Sequence, residues 1–151
     1  MTKSLSPISV LILVAPTFLT SCAGADAQPK PGDRLGQVPL IVEAVLRFGT
    51  HQFSPGVESG LCVGVSEGGA LTDPSHSIMR RLIDTKAQPQ SACKAGNTLI
   101  IGQVDWLRED EVRVKASYLQ SSQGERRLAY RVVREDDRWV CVGPILSLDP
   151  L

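Results

Sequence analysis

Val112-Arg-Val-Lys-Ala-Ser-Tyr118 alternates without a break. Val112, Val114, Ala116 and Tyr118 fall on one side and Arg113, Lys115 and Ser117 on the other, the period-two pattern of a strand with one face in a core and one in water. Upstream, Thr98-Leu-Ile-Ile-Gly-Gln-Val-Asp-Trp106 is rich in β-branched and aromatic residues, and the four consecutive charges from Arg108 to Glu111 end it. Downstream, Ser121-Ser-Gln-Gly124 supplies a turn, after which Leu128, Tyr130 and Val132 alternate with Arg127, Ala129 and Arg131. Glu135-Asp-Asp137 turns the chain into Arg138-Trp-Val-Cys-Val142, and Gly143-Pro144 predicts a break before a last edge segment, Ile145 to Leu148. Turns this short predict an antiparallel meander of four or five strands.

The residues before the meander supply its cover. Pro39 suits the first turn of a helix, Leu40, Ile41, Ala44, Val45 and Phe48 cluster on one face, and Gly49 is placed to stop it; a strand is the alternative for so Val- and Ile-rich a run. His51 to Gly56 reads as a loop, Leu61-Cys-Val-Gly-Val65 as a short strand ended by Gly68-Gly69. Asp73-Pro74-Ser75 predicts a second helix start, with Asp73 accepting from first-turn amides and Met79, Leu82 and Ile83 forming the apolar stripe. The expected fold class is α+β, a β-meander packed against one or two N-terminal helices in one domain over 39–151.

What precedes residue 39 has a different character. Lys3 and the apolar run from Ile8 to Leu19 read as a secretory signal over 1–21, too short to span a bilayer as a helix. Residues 22–38, with prolines, glycines and no apolar period, read as a flexible tether. Leu19-Thr-Ser-Cys22 resembles the lipobox of bacterial lipoproteins, which implies cleavage before Cys22 and acylation of its thiol. That would anchor the domain on the periplasmic side of the cell envelope, and Ala23 after the cysteine implies the outer membrane. The competing site, Ala25-Asp26-Ala27, would release a soluble periplasmic or secreted form.

Lys and Arg number 16, as do Asp and Glu. With Lys3 removed the balance is about −1, and no basic cluster remains, which argues against nucleic acid as a partner. Cys62, Cys93 and Cys141 are left if Cys22 carries lipid. An exported location favours a disulfide; Cys62 with Cys93 is the preferred pair, because Cys141 sits in an apolar strand, and Cys93 with Cys141 is the alternative. A cysteine nucleophile with His51 or His76 lacks a local pattern, and Cys62, His76, Cys93 and Cys141 lack zinc-ligand spacings. The carboxylates Glu109, Asp110 and Glu111 occupy a predicted turn, where charge is simply solvated. The sequence therefore implies no catalytic residue, metal or cofactor.

Leu61-Cys-Val-Gly64, Asp73-Pro-Ser75, Ser91-Ala-Cys93, Tyr130-Arg-Val132 and Arg138-Trp-Val140 resemble an uncharacterised family of small exported bacterial proteins over roughly 42–142. The resemblance implies paired cysteines at Cys62 and Cys93 and an aliphatic position at Cys141; the chain departs from it over Gly143 to Leu151. Helices followed by a meander ending in Arg-Trp-Val are more loosely similar to cystatin-like and nuclear transport factor 2-like folds, which implies a pocket on the sheet. Its inward set, Val112, Val114, Ala116, Leu128 and Val132, is apolar, leaving Trp106, Tyr118 and Tyr130 as candidate ligand contacts. The leading expectation is a non-enzymatic envelope domain that binds an envelope protein or a small apolar ligand, or is purely structural. The alternative is a small hydrolase or isomerase using those three aromatics and Asp105.

Overall fold

The structure is a computed structural model that describes residues 32–53, 60–93, 96–120 and 123–147. The expected leader, Cys22, the Ala27 site and most of the tether lie outside those residues, as do Ser54 to Gly56, Ser121-Ser122 and Leu148.

Helix α1, Arg34–Phe53, starts earlier and ends later than the sequence predicts. Asp33 opens it, its carboxylate accepting the Gly36 amide at 3.1 Å. Pro39 thus lies inside the helix, where it has no amide for the Leu35 carbonyl; Leu35 is 86% exposed, so water can reach that acceptor. Residues 34–38, read as the end of the tether, are helical, and His51 to Phe53, read as loop, form the last turn. The buried face runs through Gln37, Ile41, Val42, Val45, Leu46, Gly49 and Thr50, the spacing of one side of a helix. Gly49 does not stop the helix: its bare Cα lets Leu99 of the sheet come close, and an added Cβ would lie 2.2 Å from Leu99 Cδ2.

Seven strands form one sheet: β1 (Cys62–Glu67), β2 (Ala70–Thr72), β3 (Gln88–Pro89), β4 (Thr98–Trp106), β5 (Glu111–Gln120), β6 (Gly124–Glu135) and β7 (Arg138–Ser147). The order is β2-β1-β4-β5-β6-β7, with β3 beside β1. The antiparallel meander is present as β4 to β7, and β1 extends it by pairing in parallel with β4. Asp136 and Asp137, at φ 47° and 62°, make the β6–β7 turn with both central residues left-handed, the geometry that matches strand twist in a two-residue hairpin. Gly143-Pro144 does not break β7. The pairing with β6 slips on either side of it, from Val132–Cys141 to Arg131–Gly143 and from Tyr130–Pro144 to Ala129–Leu146. These are two bulges on an edge strand, where a proline without an amide costs nothing to a neighbour.

Between β2 and β3 lies α2, His76–Arg81. Its cap is Ser75 rather than Asp73, the hydroxyl accepting the Ile78 amide. Asp73 accepts instead from the Ser91 amide at 2.9 Å and from the Ser91 hydroxyl, and these bonds, the hydroxyl first, hold its carboxyl below the usual range. Ile78 and Leu82 turn to the core, whereas Ile83, expected there, is 81% exposed. Arg81 to Glu43 at 2.6 Å and Arg47 to Asp84 at 2.7 Å bind this region to α1. The expected Cys62–Cys93 disulfide is present, and Cys141 is free and buried. No helix among the described residues is long and apolar enough to cross a membrane.

Candidate ligand groove

α1 lies on one face of the sheet and fills it. Val112, Val114, Ala116, Leu128 and Val132 are all buried beneath it, together with Ile41, Val45 and Leu46 of the helix. The three candidate aromatics belong to this packed layer. Trp106 meets Trp139 edge-on at 5.6 Å, with the Arg34 guanidinium 5.2 Å above its ring. Tyr118 stacks on Phe53 at 4.0 Å; Tyr130, fully buried, meets Phe48 at 5.9 Å and donates its hydroxyl to Gln52 Oε1 at 3.3 Å. They do not converge. Trp106 is opposite Val112 and Tyr130 opposite Val114, while Tyr118 lies four residues further along β5, about 13 Å away.

Burial pushes both phenols above their ordinary range, more strongly at Tyr130, where Cys141 adds to the effect. Neither is disposed to become a base. Asp105 is on the opposite face, paired with Arg113 at 3.1 Å and Lys115 at 3.6 Å. His51 and His76 are exposed, and no group of three or more metal-ligating side chains exists among the described residues.

Among the described residues no α-helix lies on the other face, and it carries a groove of about 610 Å³. Strand register explains its line. Gly64 pairs with Ile100, Ile100 with Ser117 and Ser117 with Arg127, so these four residues form one row across β1, β4, β5 and β6. Leu119 and Glu125 flank the row on one side, Lys115 and Gly102 on the other. Gly64 leaves room for Leu71 of β2 to fold over that end; a Cβ on Gly64 would come within 2.8 Å of Leu71 Cδ1. Leu71, Ile100 and Leu119 supply apolar wall.

The polar groups of the groove are unevenly committed. Glu125 accepts the Ser117 hydroxyl at 2.7 Å, and Lys115 is held by Gln103 at 3.2 Å and by Asp105. The Arg127 side chain is 67% exposed, and its Nε stands 4.0 Å from Glu125 Oε1, beyond hydrogen-bond reach. A second hollow, about 330 Å³, lies near the β4–β5 turn among Arg108, Glu111, Arg131 and Arg134. There the charges satisfy one another: Arg131 donates to Glu111 at 2.7 Å, a bond that holds the Glu111 carboxyl below its usual range, and Arg134 pairs with Asp137 at 3.0 Å.

The sequence does not show the groove because alternation puts Ser117 and Arg127 on the wet face, while the run Thr98 to Trp106 has no clear alternation that would place Ile100 beside them. The signal was present in Gly64 and Gly102, glycines inside strands. Compared with known proteins, the chain matches no family model, no curated protein and no solved structure.

Proposed function

We propose that this chain is an exported, non-enzymatic binding domain that holds its ligand in the groove on the helix-free face of the sheet, and that it is tethered to the envelope, at the outer membrane, by lipid on Cys22. One observation carries the binding reading. A groove of about 610 Å³ is of the size of small-molecule sites, and among the described residues only Leu71 and the segment around Gln90, both at its β1 end, lie over that face. The aromatic face, where an enzyme's pocket was the alternative, is occupied by α1, and the Tyr130 hydroxyl there meets an amide rather than a carboxylate or imidazole.

The tether reading adds an orientation. Twelve residues from Cys22 to Arg34 reach at most about 40 Å. Arg34 sits over Trp106 at the end of β4, whereas Leu119 and Glu125 lie at the far end of β5, so the tether would leave the domain at the end opposite to those two residues. Intact mass of the exported protein, before and after reduction and thiol labelling, tests the anchor: acyl mass on Cys22, one bridge and one thiol are expected, and an amino terminus at Gln28 without lipid refutes it. For the groove, Ser117→Trp places a large side chain in its central row. Retention of an envelope ligand by wild type and its loss in this variant is expected; equal retention refutes the groove.

A further inference from the structure

We infer that the groove takes a single-chain amphiphile with an anionic head, a fatty carboxylate being the simplest, with the head at Arg127 and the chain running toward Leu71. This rests on the groove being the binding site and names what it binds.

Shape restricts the ligand first. The row runs across strands from β2 to β6, four spacings of about 4.8 Å, or roughly 19 Å. A flexible chain fits such a line better than a fused ring system. A peptide strand does not, because β4, β5 and β6 are paired on both sides and offer no open edge for main-chain hydrogen bonds where the groove crosses them.

Polarity then orients it. Leu71 and Ile100 stand toward the β2 end, Leu119 beside the middle of the row, and Arg127, whose Nε makes a loose 4.0 Å ion pair with Glu125, stands at the β6 end. Lys115 is engaged by Gln103 and Asp105, and Glu125 is engaged by Ser117. With Nε at 4.0 Å from Glu125, Arg127 has Nη1 and Nη2 to offer an arriving anion, a fork that binds a carboxylate through two parallel bonds. A cationic head would meet two like charges, Arg127 and Lys115, against one carboxylate, Glu125, that already accepts from Ser117, and a neutral head would leave the fork to water.

The test uses the full chain carrying Cys22→Ser, so that no attached lipid competes. Decanoate, decanol and decyltrimethylammonium are added at submicellar concentration while backbone amides are followed by NMR. Decanoate is expected to shift Ile100, Ser117, Leu119 and Arg127 saturably and to bind at least tenfold more tightly than the other two. Arg127→Ala should weaken decanoate about 10- to 100-fold and leave decanol unchanged, and Ser117→Trp should abolish both. If decanol binds as tightly as decanoate and Arg127→Ala changes neither, the anionic head is refuted while the groove stands. If none of the three moves those amides but Ser117→Trp still loses an envelope ligand, the amphiphile is refuted. If neither effect occurs, the groove falls with it.

Discussion

Gly49→Ala separates close packing from helix termination. In an exposed helix interior, alanine is favoured over glycine by about 0.8–1.0 kcal/mol. Here the new Cβ would lie 2.2 Å from Leu99 Cδ2, well inside contact distance. Leu99 is fully buried between its partners Val63 and Tyr118, so its methyl cannot swing into water and must push on the core. Inserting a methyl into a packed site costs about 1–3 kcal/mol. Subtracting the propensity gain leaves a net loss of about 1 kcal/mol, with the range running from near zero to about 2. The decisive measurement is a double-mutant cycle by urea denaturation at constant m-value. Leu99→Ala alone should cost about 2–5 kcal/mol and leave a space at the position of the missing methyl. In that background Gly49→Ala should become stabilising by about 1 kcal/mol, because the clash is gone and the propensity gain remains. A Gly49→Ala variant stabilised in the wild-type background would show that the helix does not press on Leu99 as described.

Reducing the Cys62–Cys93 bridge releases a loop closed over 31 residues, which should lower stability by about 3–4 kcal/mol on the chain-entropy account; a difference below about 1 kcal/mol between matched denaturation curves with and without reductant would refute that account for this bridge. The Cys141 thiol is pushed from its ordinary 9.0 to about 11, first by burial, so the folded state prefers it neutral. Its contribution to stability is complete below pH 9 and is lost as pH rises toward 11, with a slope of at most about 1.4 kcal/mol per pH unit. Cys141→Val should flatten the difference curve in that window, and an unchanged alkaline profile would refute the assignment. Trp139→Phe removes the 3.1 Å bond that Nε1 donates to the buried Gln37 and should cost about 1–3 kcal/mol; a loss below 0.5 kcal/mol in thermal unfolding would count against that contact as a fastening of α1 to β7.

The meander was legible because each of its signals is local. Alternation over Val112 to Tyr118 fixes a face whatever the rest of the chain does, and Asp136-Asp137 can adopt the left-handed turn without help from other elements. The parallel pairing of β1 with β4 is not local: it joins Val63 to Leu99 across a segment holding a helix and two short strands, and nothing in Leu61 to Val65 names that partner. The helix ends were misread for a related reason. Pro39 and Gly49 carry the intrinsic marks of a start and a stop, but tertiary contact overrides both, one by the Asp33 cap upstream and the other by the approach of Leu99. The aromatic candidates failed to converge because periodicity reports a shared face and not a shared position along it.

The two faces of this sheet have opposite fates for a reason contained in its edges. A seven-stranded sheet with one long helix covers one face only, and an uncovered face invites association unless its side chains resist it. Resistance is visible over much of that surface. Asp105, Arg113 and Lys115 form one ionic ladder and Glu111 with Arg131 another, while β7 guards the open edge with two bulges and Pro144. This policy is relaxed at the groove, where Leu71, Ile100 and Leu119 replace charges, and on β7, where Val140 and Val142 are exposed. Exposed aliphatic side chains there should favour aggregation if nothing occupied them. Ile100→Lys, which extends the ionic surface into the groove, should therefore raise solubility while leaving thermal stability within about 0.5 kcal/mol of wild type, since Ile100 is only half-buried. A fall in stability of 2 kcal/mol or more would mean that Ile100 is part of the core and that the row it shares with Ser117 and Arg127 is structural rather than a binding surface.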